Sequence, residues 1–206
     1  MAAFDPVFGD LSHDREMRDN QIKGNLLGRR AWYIRDRWGD AALASVAATV
    51  PDSARKYLVD ATPLTFAWYP FGVMMDIDRA IVDGPMAGEL GRMREFGSAI
   101  AKHDLPLLYK VLFKVGSPSF IIKRLNIVAK QYIRESTISS TIVGDGHARV
   151  TQGGRRFPMY FCTYGVSGWF HAALELSGAH KPTVEHTGCI HRGDGGCSWE
   201  LRWEES

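Results

Sequence analysis

The sequence has no apolar run that approaches the roughly 18 residues or more needed to cross a bilayer. Its first stretch, Met1 to Glu16, mixes acids and bases around no apolar core, so it does not read as a secretion signal. Cysteine is scarce. There are three, an odd number that no scheme of internal disulfides uses up. With the missing signal, this points to a reducing cytoplasm. An excess of one charge sign is also absent: 25 Lys and Arg against 23 Asp and Glu leave +2, too balanced for a nucleic-acid or anionic-surface binder. Lys110, Lys114, Lys123, Arg124 and Lys130 are spread over two helical stretches without an aromatic-bearing strand beside them. They read as a solvated face rather than a nucleic-acid track. Dinucleotide-binding, HExxH and EF-hand patterns are all missing.

What remains is ordinary globular material. The 206 residues are 45% hydrophobic, enough for a sizeable core and too much for disorder. No internal repeat or linker divides the chain. The expected organisation is a loose arm over residues 1–20 and a single domain over 21–206. Leu26, Leu27, Ala31, Ile34 and Trp38 recur at helical spacing, and Gly39 interrupts that helix before a second runs to Val50. Asp52 opens another. The aromatic and methionine-rich stretch from Phe66 to Ile81 is expected to be mostly helix, with Pro70 near its start and Asp83-Gly84-Pro85 at its end, either buried or lining a ligand cavity. Further helices are expected over 89–113 and 119–131.

The period then changes. Thr137 to Val143 (TISSTIV) is β-branched at five of seven positions, and a Gly-Asp-Gly turn returns the chain through His147 to Thr151. Pro158 to Gly178 predicts a central buried helix. Thr183 to Gly188 and Ser198 to Trp203 predict a last hairpin. This order, helices, hairpin, helix, hairpin, is an α+β fold: a helical N-terminal half and a small antiparallel sheet.

Chemistry concentrates in Cys162, His186, Cys189 and Cys197. The last three read His-x2-Cys-x7-Cys around a glycine-rich loop, whose glycines permit the reversal that brings donor atoms to about 2.0–2.3 Å from one ion. Cys162 falls near the start of the buried helix, where the helix dipole would favour its thiolate. Three sulfurs and an imidazole make a closed structural zinc site. Two half-buried thiols and a surface histidine would have the same spacing. Arg192 or Arg202 would offset the surplus negative charge.

The runs FCTYGVSGWFHAALELSG and VEHTGCIHRGDGGCSWELRW resemble the C-terminal half of 4-vinyl-reductase-type domains, above all the sensor domains of phenol- and aromatic-responsive transcription activators. The resemblance covers about residues 95–203. It implies that Cys162 precedes the Gly165-Val166-Ser167-Gly168 helix and that Cys189 and Cys197 are the loop ligands. The family's glutamate ligand falls at His186, with Glu185 adjacent, leaving either to complete a zinc site. The opening IKGNLLGRRAWYIRDRWGD more weakly resembles heme-nitric-oxide-binding domains, which share a superfamily with the 4-vinyl-reductase domains and Golgi transport-particle subunits. The resemblance implies a ligand-binding sensory or adaptor module, often dimeric.

Rival readings follow from the same residues. His103 is placed as a proximal heme ligand would be, but Tyr132-Ile133-Arg134-Glu135-Ser136 does not supply a Y-x-S-x-R propionate anchor, so the sequence argues against heme. Cys162 and His171, nine residues apart on one helix, face opposite ways and make a poor nucleophile–base pair. A zinc- or thiol-dependent enzyme acting on an aromatic or tetrapyrrole-like substrate stays open as the alternative. The expected partners are a small hydrophobic or aromatic ligand and a second copy or partner protein. Phe66, Tyr69, Met74, Phe113, Phe120, Tyr164 and Trp169 are the candidates to line an apolar pocket.

Overall fold

A computed structural model describes residues 15–108, 117–134 and 136–204. These fall into two compact units, one drawn from Met1–Arg92 and Gln131–Glu135, the other from Met93–Lys130 and Ser136–Ser206.

In the first unit, helix α1 (Arg15–Asp19) leads through strand β1 (Gln21–Lys23) into α2 (Gly24–Thr49) and α3 (Asp52–Val59). Strand β2 (Trp68–Pro70) pairs antiparallel with β1, Ile22 facing Tyr69, and runs directly into α4 (Phe71–Asp83). The expected loose arm lies mostly outside the described residues. Its described end is packed: Met17 is fully buried, and Arg18 makes a two-pronged ion pair with Asp76. Gly39 does break α2, with φ of 84°. That left-handed conformation is open to glycine at no steric cost. Leu26, Leu27 and Ile34 are buried as the helical spacing predicts, while Ala31 and Trp38 are half-buried. The same face also buries Arg30, which hydrophobic patterning passes over. Its guanidinium grips Asp78 of α4 at 2.9 and 3.0 Å and donates to the Leu26 carbonyl at 2.7 Å. Both partners are almost free of solvent, so removing either strands a buried charge. The helix of the aromatic stretch starts next to Pro70 as expected, at Phe71; Phe66 lies in the segment before β2, and Trp68 within β2.

In the second unit, α5 (Met93–Leu108) runs on through Pro106. Helix α6 (Pro118–Ile122) is capped by the Ser117 hydroxyl, which accepts from the Phe120 N–H, and α7 (Leu125–Ala129) follows. Strands β3 (Ser136–Gly144), β4 (His147–Gly154), β5 (His180–Gly188) and β6 (Cys197–Glu204) form an antiparallel sheet in the order β3-β4-β6-β5. Between the hairpins lies the buried helix, whose first part, Phe161–Val166, is a π-helical turn before α8 (Ser167–Leu176). One sheet face is dry. Val150, Val184, Trp199, Leu201 and Trp203 point into it by the two-residue alternation of strands.

Glycines bring α5 and α8 into backbone contact. A Cβ on Gly97 would meet the Gly165 carbonyl oxygen at 2.0 Å, and one on Gly168 would meet that of Arg94 at 2.0 Å. No side chain can move aside to relieve either clash. Gly97→Ala is therefore expected to cost about 2–4 kcal/mol, read as a lowered midpoint in denaturant unfolding.

Candidate functional site

The site is built where three pieces of the second unit meet: the π-helical turn, the end of β5 and the loop into β6. Cross-strand register aligns Val150, Trp199 and His186 in one row, with Gln152 and Cys197 paired beside it. The loop closes through a 3-10 turn at Ile190–Arg192 and a left-handed Gly193, with the Cys189 N–H donating to Asp194 Oδ2 at 2.7 Å. Tight spacing explains two of its glycines. A Cβ on Gly188 would strike the Ser198 hydroxyl at 2.4 Å, and one on Gly196 the Gln152 carbonyl oxygen at 2.6 Å.

This folding brings His186, Cys189 and Cys197 together, with their donor atoms all within 4.8 Å of one another. Cys162 approaches Cys197 from the π turn, outside that group of three, and its thiol donates to Gln152 Oε1 at 3.9 Å. All three cysteines are free thiols and buried. Glu185 points to the exposed side of β5, away from this cluster.

Histidine orientation is set from both sides. The His186 ring stacks on Trp199, centroids 5.0 Å apart, and its Nδ1 lies 3.0 Å from the Thr163 hydroxyl. In the tautomer whose Nδ1 donates to Thr163, the lone pair is on Nε2. That nitrogen is buried and has no hydrogen-bond partner. A buried acceptor without a donor is costly unless something else satisfies it, and a metal-ligating imidazole is normally oriented through its other nitrogen in this way.

The sulfurs are electrostatically unequal. Cys197 is held down to about 4, first by the hydrogen bond from Cys162, against the cost of burial, then by His186. Cys162 is pushed well above its ordinary value by donating to that sulfur and by burial. This corrects the expectation that the helix dipole makes Cys162 the thiolate. Deep burial and a neighbouring negative sulfur outweigh a dipole in a turn that is π-helical rather than α-helical. Cys189 is raised chiefly by burial, opposed by the His191 backbone N–H and by Arg192. Arg192 also donates to the His186 carbonyl at 3.4 Å, whereas Arg202 lies on the exposed sheet face.

The other expected residues are dispersed. His171 pairs with Glu175 at 3.7 Å. In the first unit Met74 is fully buried, Phe66 is 77% exposed, and the Tyr69 hydroxyl accepts from the Leu64 N–H. In the second, Tyr164 and Trp169 are half-buried, and Phe120 lies under the Arg124 guanidinium at 3.5 Å. Phe113, Lys110 and Lys114 lie outside the described residues. An open cleft of about 390 Å³ in the first unit runs along Gly28, Trp32, Tyr57 and Pro63, and none of the expected pocket residues lines it.

No protein-family model matches the chain, and neither does any curated protein. Solved structures do. The H-NOX protein from S. oneidensis in its Fe(II)NO ligation state matches with a TM-score of 0.69 at 12% identity, over 89% of this chain and 99% of that one. An NMR structure of the Shewanella oneidensis H-NOX domain in the Fe(II)CO state gives 0.67 at 12%, over 89% and 99%. The unliganded Fe(II) H-NOX protein from K. algicida gives 0.65 at 11%, over 89% and 97%. Likeness at such identity shows the fold, an α+β arrangement of helices with a small antiparallel sheet. It also overturns the exclusion of heme. A further match is described for porphyrin distortion that modulates heme redox potential. An argument from one missing motif does not stand against a fold common to such domains.

The unequal sulfurs make a spectroscopic prediction. Metal-free protein should retain one ultraviolet-absorbing thiolate per chain down to about pH 4, lost in Cys197→Ser, while the other two thiols ionise only above the ordinary thiol range.

Proposed function

We propose that the chain is a non-enzymatic, small-molecule-binding sensory or adaptor domain of the 4-vinyl-reductase type, in which Cys162, His186, Cys189 and Cys197 hold one structural zinc ion. The observation that carries the metal site is the orphaned His186 Nε2 beside two sulfurs, with Thr163 fixing the ring behind it. A bound zinc would supply a cross-link between the β5–β6 hairpin and the π turn. Four protein donors leave no position open for substrate, which favours a structural role over a zinc-dependent enzyme. The pieces so joined can transmit a small displacement. The π turn continues into α8, which packs on β5, and Trp199 links the turn to β6. Movement of the helix by a small hydrophobic ligand would reach the hairpin, and through it a second copy or a partner protein.

Metal analysis tests this. The purified protein should contain one zinc per chain, with unfolding on chelation and loss of both zinc and fold in Cys189→Ala. Thr163→Val should keep the fold but weaken zinc affinity by about 10–100-fold, because it removes only the group that orients His186.

A heme is the second reading, favoured by His103 together with the fold. The His103 Nδ1 lies 3.1 Å from the buried Asp104 carboxylate, the kind of contact that orients a metal-ligating imidazole. Tyr132 is buried and the Arg134 guanidinium lies over Trp68, so neither forms the propionate anchor. Hemin reconstitution should then give a Soret band that His103→Gly abolishes without changing zinc content. No band in the wild-type protein eliminates this reading.

A further inference from the structure

Exposed apolar side chains cluster in the short segment between α3 and β2. Val59 is 49% exposed, Leu64 71% and Phe66 77%. The backbone that carries the last two is pinned. The Gly24 N–H donates to the Ala67 carbonyl at 2.9 Å, the Asn25 N–H to that of Thr65 at 3.2 Å, and the Ala67 N–H to that of Leu64 at 3.1 Å. A Cβ on Gly24 would meet the Leu64 carbonyl oxygen at 2.1 Å, so the start of α2 bears directly on the segment. Leu64 and Phe66 are thus held outward on a fixed frame.

Cations and amphipathic aromatics surround them. Lys23 Nζ donates to the Phe66 carbonyl at 2.8 Å and sits 3.9 Å over the Trp68 ring, which the Arg134 guanidinium approaches at 5.9 Å. Lys56 Nζ lies 4.9 Å from the Tyr57 ring, which packs edge-on against Tyr69 at 5.2 Å. Asp60 is the acid within the segment.

We infer that this patch docks the protein peripherally on an anionic lipid bilayer. Leu64 and Phe66 enter the acyl boundary, Trp68 and Tyr69 lie at headgroup depth, and Lys23, Lys56 and Arg134 face lipid phosphates. The composition favours lipid over protein, because protein–protein interfaces are depleted in lysine, whereas Lys and Arg with Trp and Tyr around Leu and Phe is the pattern of interfacial segments. The chain's net charge of +2 averages this local excess away. No helix of the described residues is long and apolar enough to cross a membrane, so the contact is a surface one.

Vesicle co-sedimentation of the full chain tests the inference independently of zinc or heme. Wild-type protein should pellet with phosphatidylcholine vesicles containing about one-third phosphatidylglycerol but not with pure phosphatidylcholine, and less so as salt is raised. The Leu64→Ser/Phe66→Ser variant should keep its melting temperature and lose partitioning by about tenfold or more. Lys56→Glu should reduce the phosphatidylglycerol-dependent part by roughly fivefold or more. Equal pelleting of wild type and the double variant, or none with either vesicle, overturns the inference. So does a wild-type dimer in light scattering that the double variant splits, which assigns the patch to a second copy.

Discussion

Trp199 has no solvent-exposed surface, yet its indole N–H must still find an acceptor. It finds two in the buried helix: the Ser167 hydroxyl at 3.1 Å and the Cys162 carbonyl at 3.3 Å. The Phe170 ring meets it edge-on at 5.4 Å, and the His186 ring stacks on it. One residue of β6 therefore fixes where the π turn lies against the sheet, which way His186 faces and how close Cys162 comes to Cys197. The sulfur–imidazole cluster depends on this placement more than on any property of the thiols themselves.

The π turn is the second constraint. Widening the helix over Phe161–Val166 changes where side chains point relative to regular α-helical spacing, and here the Cys162 side chain reaches Cys197. Immediately beyond, Gly168 lies against α5 backbone too closely for a methyl group, and the Gly165 carbonyl within the turn leaves no room for one on Gly97 of α5. The helix is held by backbone contact on one side and by Trp199 on the other.

The apparent disagreement between zinc and heme is a matter of two places in one unit. The thiol cluster, proposed above as the zinc site, is at the β5–β6 end, with sulfur and imidazole donors. His103 is on α5 with a carboxylate behind it, a different donor environment. The fold alone assigns neither.

Residue order determined a good deal by itself. The break at Gly39, the end of α4 at Asp83, the TISSTIV strand, the buried helix and both hairpins all follow from local periodicity and turn chemistry, which act over a few residues. The grouping of His186, Cys189 and Cys197 was likewise visible as spacing around a glycine-rich loop. What tertiary structure alone decided were the long-range electrostatic matters. Arg30 is buried because Asp78, 48 residues away, meets it; the Cys197 thiol is shifted down and that of Cys162 up because of what each touches; and His186 Nε2 is left without a hydrogen-bond partner where Thr163 and Trp199 orient its ring. Such effects depend on distances across the fold and on exclusion of water, and neither quantity is written in the order of residues along a chain.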